Sequence, residues 1–491
     1  MNMNEKKERG TGSIKNKKDF RFFDVEKCDD CGICFSACPV MELPEEYAKK
    51  DIMALIQGDV ESSQAYERCN TCHTCDVVCP QNADPYELIL ERWGEKRMET
   101  GIPHIAATVF PNEPGNYWGS IKTLMPKEEL EMIDRWANLH PRKEVVLTGF
   151  YSNIFPYLTQ TKLLDDLRPA IAGSPEAFFG CAGDIYKTGA FDVVEQMGKR
   201  MQKIFSEMGV EKMYCLMSAE SMMPREVLPK RFGINFDFEI QSIEEWLLER
   251  IRSGKIEIKK KLDMKVTIQD GCLSKLKGGI EQDINREILQ RIGCEIVEME
   301  HNHEKALCCG YGASASKLWP GMDLFAVLYL MESSLRRLKE AEATGADALV
   351  VYCHGCLFML SMMNEFLNIK IPIYHVTELV QMAIGEEPVH KHAYRAWDVI
   401  AGVTNLLLKC VLSPSYRAPF QPKPVSEEVE PLAKPSEDDI RMIEAFAKLY
   451  HSPIVQNSVT KALIGAASRA IVAVYSSVWG RSYYERKLKR D

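Results

Sequence analysis

The chain has 491 residues, a net charge of −9, 46% hydrophobic and 27% charged residues. That is too long for one ordinary domain and too apolar for a disordered chain, so about three packed units are expected. The acidic balance, with no long block of one sign, argues against nucleic acid as a partner.

Residues 1–20 read as a disordered basic tail without the apolar core of a signal peptide. Residues 21–100 hold eight of the 17 cysteines in two like runs, Cys28-x2-Cys31-x2-Cys34-x3-Cys38-Pro39 and Cys69-x2-Cys72-x2-Cys75-x3-Cys79-Pro80. CxxC runs and an odd cysteine count point to metal in a reducing compartment rather than to disulfides. Three thiolates at this spacing wrap three irons of one cube, and the fourth points away to a second cube. Two cubane [4Fe–4S] clusters are therefore expected, one on Cys28, Cys31, Cys34 and Cys79, the other on Cys69, Cys72, Cys75 and Cys38. Zinc seldom takes so regular a run twice. Between the runs, 40–68 is apolar in part at helical spacing (Tyr47, Ile52, Leu55, Ile56). The region thus resembles the helical ferredoxin domains of respiratory iron–sulfur subunits. His73 reads as a hydrogen-bonding residue rather than a ligand.

Residues 101–143 form a connector, turn-rich at 112–119. From 144 strands and helices alternate: 144–150, 211–217, 264–272 and 346–353 read as buried strands, with helices at 190–208, 281–292 and 323–342. The pattern repeats. Gly180-Cys181-Ala182-Gly183-Asp184 parallels Cys308-Cys309-Gly310-Tyr311-Gly312, and 208–218 parallels 344–356, giving two modules at 144–262 and 263–385. The expected fold is thus α+β and multidomain: a helical two-cluster ferredoxin domain, duplicated α/β modules and a helical C-terminal extension.

Cys272, Cys308, Cys309, Cys353 and Cys356 fall at strand ends and turns, where α/β layers build sites. A structural site, or an ordinary cube with a spare thiol, are the plain readings. The pattern Cys-x(n)-Cys-Cys-Gly-x(n)-Cys-x2-Cys resembles the cysteine-rich CCG domain of heterodisulfide reductases. With the ferredoxin region upstream, the likeness covers most of 21–385 and is to subunits of the HdrD, DsrK, TmcB and HmeD type. It implies that these five cysteines hold a non-cubane [4Fe–4S] cluster at which a disulfide is cleaved. Two departures stand out. The gap from Cys309 to Cys353 is long, with an apparent insertion at 318–326. The first module is degenerate: Cys181 and Cys215 remain, while Phe150, Ala182 and Ser218 take the other places. One special cluster is expected, not two. His354 is a candidate proton donor, as are His301 and His303, although loop histidines without a role are as common. Cys294 and Cys410 read as core residues.

Residues 386–413 read as helical, 414–437 as a proline-rich linker with six of the 24 prolines, and 438–491 as helices ending in a basic tail. No stretch reaches 18 apolar residues without a charge, so a cytoplasmic protein is expected. Leu463, Ile464, Ala467, Ile471, Val474, Tyr475 and Val478 share one helix face, which packs on the body or a subunit, or touches an anionic membrane. No GxGxxG or P-loop motif is present. The chain is thus expected to lack its own flavin or NAD site and to draw electrons from another redox subunit: a flavoprotein, a ferredoxin, or a membrane quinone or cytochrome subunit. Two functions follow from these readings: reduction of a disulfide or oxidation of thiols, or non-catalytic electron transfer for a flavin dehydrogenase.

Overall fold

The computed structural model describes residues 20–173, 180–423 and 432–488. The tail expected at 1–20, all but Phe20, lies outside the described residues, as do Pro424 and Pro431 of the linker and Lys489 and Arg490 of the basic end.

The cysteine runs sit on short loops held by two helices. Helix α1 (Glu45–Gln57) starts after Pro44, carries Glu45 and Glu46 where the helix dipole favours them, and ends on Gly58 at φ 85°. Helix α2 (Pro85–Thr100) opens with proline at its first position. Its residues Tyr86, Leu88, Ile89, Leu90 and Trp93 are fully buried, because the helix is packed on most sides. A Cβ on Gly94 would meet the Gly189 carbonyl oxygen at 2.7 Å. The α2 backbone therefore rests directly on a turn of the region that follows, and only glycine permits that approach.

That region holds two parallel sheets. The first comprises β1 (Glu144–Leu147), β2 (Ile171–Ala172), β3 (Lys212–Cys215) and β4 (Glu239–Ser242), in the order β2-β1-β3-β4. The second comprises β5 (Lys265–Gln269), β6 (Glu295–Ile296), β7 (Ala348–Val351) and β8 (Ile373–His375), in the order β6-β5-β7-β8. Their helices are α3 (Phe191–Met208), α4 (Ile243–Arg252), α5 (Ile280–Arg291), α6 (Asp323–Ala343), α7 (His354–Leu367) and α8 (Val376–Ala383). Helical cover explains the unbroken apolar strands: every residue of β7 is buried. The strand expected at 144–150 is shorter, because Gly149 at φ 66° turns the chain into a helical turn, Gly149–Ser152.

The C-terminal part packs on this body through α9 (His392–Leu412), α10 (Glu437–Tyr450) and α11 (Ser458–Val478). The helix expected from 386 starts only at His392. His390 Nδ1 and His392 Nε2 lie 3.0 and 2.8 Å from the two oxygens of buried Glu378 and hold the preceding turn against α8. The described part of the proline-rich segment is bound to the body: Phe420 pairs with Ile102 of the connector in an antiparallel bridge. The apolar face foreseen on α11 divides. Tyr475 is buried, while Leu463, Ile471, Val474 and Val478 face outward. The charge within this stretch, Arg469, is used up on the carbonyl of Leu367, the last residue of α7. By length and composition Ser458–Arg486 is long and apolar enough to cross a membrane, with 22% of its most apolar window buried.

Gly94→Ala is expected to destabilise the cluster-loaded protein by about 1–3 kcal/mol, the usual cost of overpacking. An unchanged melting temperature in calorimetry would show that α2 and the Gly189 turn do not touch.

Candidate metal centre and its surroundings

The eight N-terminal cysteines form two groups that cross the two runs. Cys34 has Cys28, Cys79 and Cys31 as neighbours. Burial pushes the Cys28 thiol up to about 11, and Cys79 adds to the shift. In the other group, burial and then Cys72 push Cys38 up to about 11. Burial, with Cys72 and Cys38, raises Cys69 further, and Cys75 is raised by burial with Cys69, Cys72 and Cys34 among its neighbours. All these thiols are free. Four buried or half-buried free thiols packed together are a donor set that fits an iron–sulfur cluster, whose irons stabilise the thiolates that burial disfavours.

Cys272, Cys308, Cys309, Cys353 and Cys356 converge at the carboxyl ends of β5 and β7. Cys309 accepts from the Cys308 and Cys356 thiols, which holds it well below the usual thiol range, and Cys356 likewise lowers Cys353. Cys353 caps α7 and Cys356 lies in its first turn. The turn before Cys272 is fixed by Asp270. Asp270 accepts two hydrogen bonds from Arg286, at 2.8 and 2.9 Å, and one from the His303 backbone N–H at 2.8 Å. The Cys308-Cys309 turn needs Gly310. Its φ is 105°, and a Cβ there would meet Ser334 Oγ at 1.9 Å.

A lysine from the first α/β unit completes the site. Lys187 Nζ lies 3.1 Å from Cys272 Sγ. Burial opposes its charge, but Cys272, Cys308 and Asp184 keep it protonated well above the usual range. Burial raises Asp184 to about 6, against the pull of Lys187. Neither residue was singled out from sequence. The signal available was an Asp and a Lys in a Gly-flanked turn, Gly183-Asp184-Ile185-Tyr186-Lys187-Thr188-Gly189.

The second cysteine loop of the ferredoxin region is seated on the CCG turn. A Cβ on Gly312 would meet Thr71 Oγ1 at 2.0 Å and the Asn70 carbonyl oxygen at 3.0 Å. Asn70 Nδ2 donates to Ser333 Oγ at 3.1 Å, and Thr74 Oγ1 donates to the Glu304 carbonyl at 2.8 Å. Lys275 Nζ ties Thr74 Oγ1 to the Ala306 carbonyl, at 2.8 and 2.7 Å.

The other candidates have partners of their own. His354 is buried, hydrogen-bonded through Nδ1 to Ser152 Oγ at 2.6 Å and packed on His375 at 4.7 Å between ring centroids. Burial, followed by His375 and His392, pushes its pKa well down. His301 pairs with Glu340 at 2.6 Å. His73 packs on Tyr86, 4.1 Å between centroids, with Nδ1 3.4 Å from Asp76. Cys294 and Cys410 are buried, as foreseen for core residues. Strand register changes the reading of the first unit. Leu147 pairs with Cys215, and Gln269 with Val351. Counted from these ends, Phe150 answers to Cys272, Met217 to Cys353 and Glu220 to Cys356. Cys215 is thus a strand residue, and its thiol donates to the Glu220 carbonyl at 3.2 Å. Glu220 is buried against Cys181, and desolvation raises it to about 7.

Comparison with known proteins agrees with this layout. The family described as a 4Fe-4S dicluster domain matches residues 24–83, and the family described as a cysteine-rich domain matches 266–361. The chain is similar to a subunit of the dihydromethanophenazine:CoB–CoM heterodisulfide reductase of Methanosarcina mazei, 24% identical over 76% of this chain and 97% of that protein. It is also similar to a subunit of the fumarate reductase (CoM/CoB) of Methanothermobacter marburgensis, 23% identical over 73% of this chain and 72% of that one. A third relative is the EtfAB:quinone oxidoreductase of Syntrophomonas wolfei, 21% identical over 72% and 57%.

The raised Glu220 carboxyl has a consequence for stability. Its folded pKa exceeds its unfolded value near 4.5, so the folded state binds the extra proton, and stability falls as pH rises from about 4.5 to about 7. Glu220→Gln should remove that loss, stabilising the protein by up to about 3 kcal/mol at alkaline pH and little at acid pH. Denaturant titrations at both pH values check it. Equal effects at the two would place the carboxyl in water.

Proposed function

We propose that this chain, an iron–sulfur oxidoreductase similar to a heterodisulfide reductase component, is the disulfide-reducing subunit of a larger redox complex. The observation that carries this reading is the convergence of five cysteines, with a protonated lysine on one of them, directly beneath a cysteine loop of the ferredoxin region. In this reading Cys28, Cys31, Cys34 and Cys79 hold one cubane cluster, and Cys69, Cys72, Cys75 and Cys38 the second. Cys272, Cys308, Cys309, Cys353 and Cys356 hold a non-cubane [4Fe–4S] cluster. The clusters supply single-electron chemistry that no side chain here offers. A relay is supported by the placement of the thiol groups: the first borders a small cavity with the exposed Asp29 and Gln81, and the loop of the second lies against the CCG turn.

Two electrons and two protons convert a disulfide into two thiols. A reduced partner subunit supplies the electrons, since the reading includes no flavin or NAD site of the chain's own. Lys187 is the group that meets the protonic need. It is held charged at Cys272, where a departing thiolate would be neutralised, and Asp184 beside it titrates near neutral pH. His354 keeps a positioning role in this reading, orienting the start of α7 through Ser152. The sheets' shared strand order supports two modules of common origin, the first at 144–262 having exchanged its ligand places for Phe150, Met217 and Glu220. The outward apolar face of α11 supports contact with a membrane or a membrane-bound partner, on the cytoplasmic side.

Protein purified without oxygen should carry about twelve irons, four beyond the eight of two cubanes. It should give a paramagnetic signal that depends on added thiol and disappears in Cys309→Ser. About eight irons with both ferredoxin groups filled, and no thiol-dependent signal, would instead make the chain an electron-transfer subunit for a partner such as a flavin dehydrogenase. Lys187→Met should keep the iron and slow disulfide reduction by about 10²-fold, with Lys187→Arg intermediate. Full activity in the methionine variant would remove the proton role.

A further inference from the structure

Beside the CCG site lies a cavity of 410 Å³ that the reading above does not use. Its inner end is formed by Asp184, Lys187 and Tyr311, and Lys187 touches Cys272. From there its walls are apolar, with Val109, Met362 and Val403 on facing elements; no lining residue but Asp184 and Lys187 is charged. Its outer part includes Leu324, Leu408, Val411 and Ile471, which are 40–55% exposed. Leu318, Leu324 and Ala326 come from the apparent insertion at 318–326 noted in the sequence.

Two features point to a ligand. Buried apolar space costs stability in proportion to its volume, so a fold does not keep it for rigidity's sake. Large apolar side chains left in water at the outer part are typical of a binding mouth. The volume is that of an ordinary small-molecule site, about 300–1,000 Å³, with few polar groups at one end. A hydrophilic disulfide would leave these walls dry and find no partner for its charges along them.

We propose that the substrate of the CCG site is a disulfide borne on an apolar chain, bound with the sulfur at Lys187 and Cys272 and the chain lying in this cavity towards the surface between α6, α9 and α11. The proposal rests on the disulfide-reducing reading and narrows its substrate class. A thiol product of the same chain leaves by the same route.

The test uses cluster-loaded full-length protein and mixed disulfides of glutathione with n-alkanethiols from ethyl to decyl. Binding is followed by calorimetry without reductant, and reduction is followed separately with a dye donor. The dissociation constant should fall about fourfold per added methylene until the cavity is full, the equivalent of ~0.8 kcal/mol per buried CH2. Val403→Trp should flatten that dependence while keeping the iron content and melting temperature. Should it misfold, Val403→Ser should still shrink the increment. Ethyl and decyl compounds reduced with the same KM would overturn the apolar-chain proposal and leave disulfide reduction standing. Chain-dependent binding with no reduction of any compound would overturn the disulfide reading itself. Binding of a decyl-bearing quinone with the same dependence, and of no disulfide, would overturn the substrate class proposed here.

Discussion

One buried guanidinium ties the three parts of this molecule together. Arg97, near the end of α2, donates to the Thr188 carbonyl of the first α/β unit and to the Ala315 carbonyl of the second. Its ring neighbours are Trp93 and Trp319, at 5.0 and 4.8 Å. Desolvation draws its pKa down to about 9. The charge is held by carbonyl dipoles and aromatic faces rather than by a carboxylate. Withdrawing such a group would take a charged donor from both carbonyls and leave that of Ala315 only the Leu318 N–H at 3.4 Å, so this one side chain links the ferredoxin helix to both units. The Gly94–Gly189 contact and the seat of Thr71 on Gly312 follow from that placement.

The site that results belongs to no single unit. Its five thiols come from the second unit, its lysine and aspartate from the first, and its roof from the ferredoxin loop. Each supplies what the others lack. The cation in contact with the Cys272 sulfur, Lys187, comes from the first unit. A buried lysine needs negative neighbours, and the first unit gives it only Asp184. At their meeting point Lys187 pulls the Cys272 thiol down while burial, the larger effect, raises it.

The expectation of two thiol groups rests on the spacing of Cys28 to Cys38 and Cys69 to Cys79, because x2 and x3 gaps leave a short loop little freedom. The strands were legible for a similar reason: covered parallel strands are continuous apolar runs, as 348–351 is. What sequence reading missed depends on contacts between distant segments. The thiol that Lys187 donates to, Cys272, stands 85 residues away in the chain. The register of the first unit was misjudged by two residues. The cysteine at 215 attracted the alignment, whereas the strand ends at that residue and the positions in register with Cys353 and Cys356 lie beyond it. The face of α11 was read as one stripe, and only the packed body shows which edge of it Tyr475 shares.

The origin of Lys187 changes what kind of object the second α/β unit is. Lifted out as a module and fused elsewhere, residues 263–385 would carry the five sulfurs without the lysine that touches Cys272. The first unit is the donor of that cation, so substitutions at Lys187 in one unit and at Cys272 in the other act at the same sulfur atom.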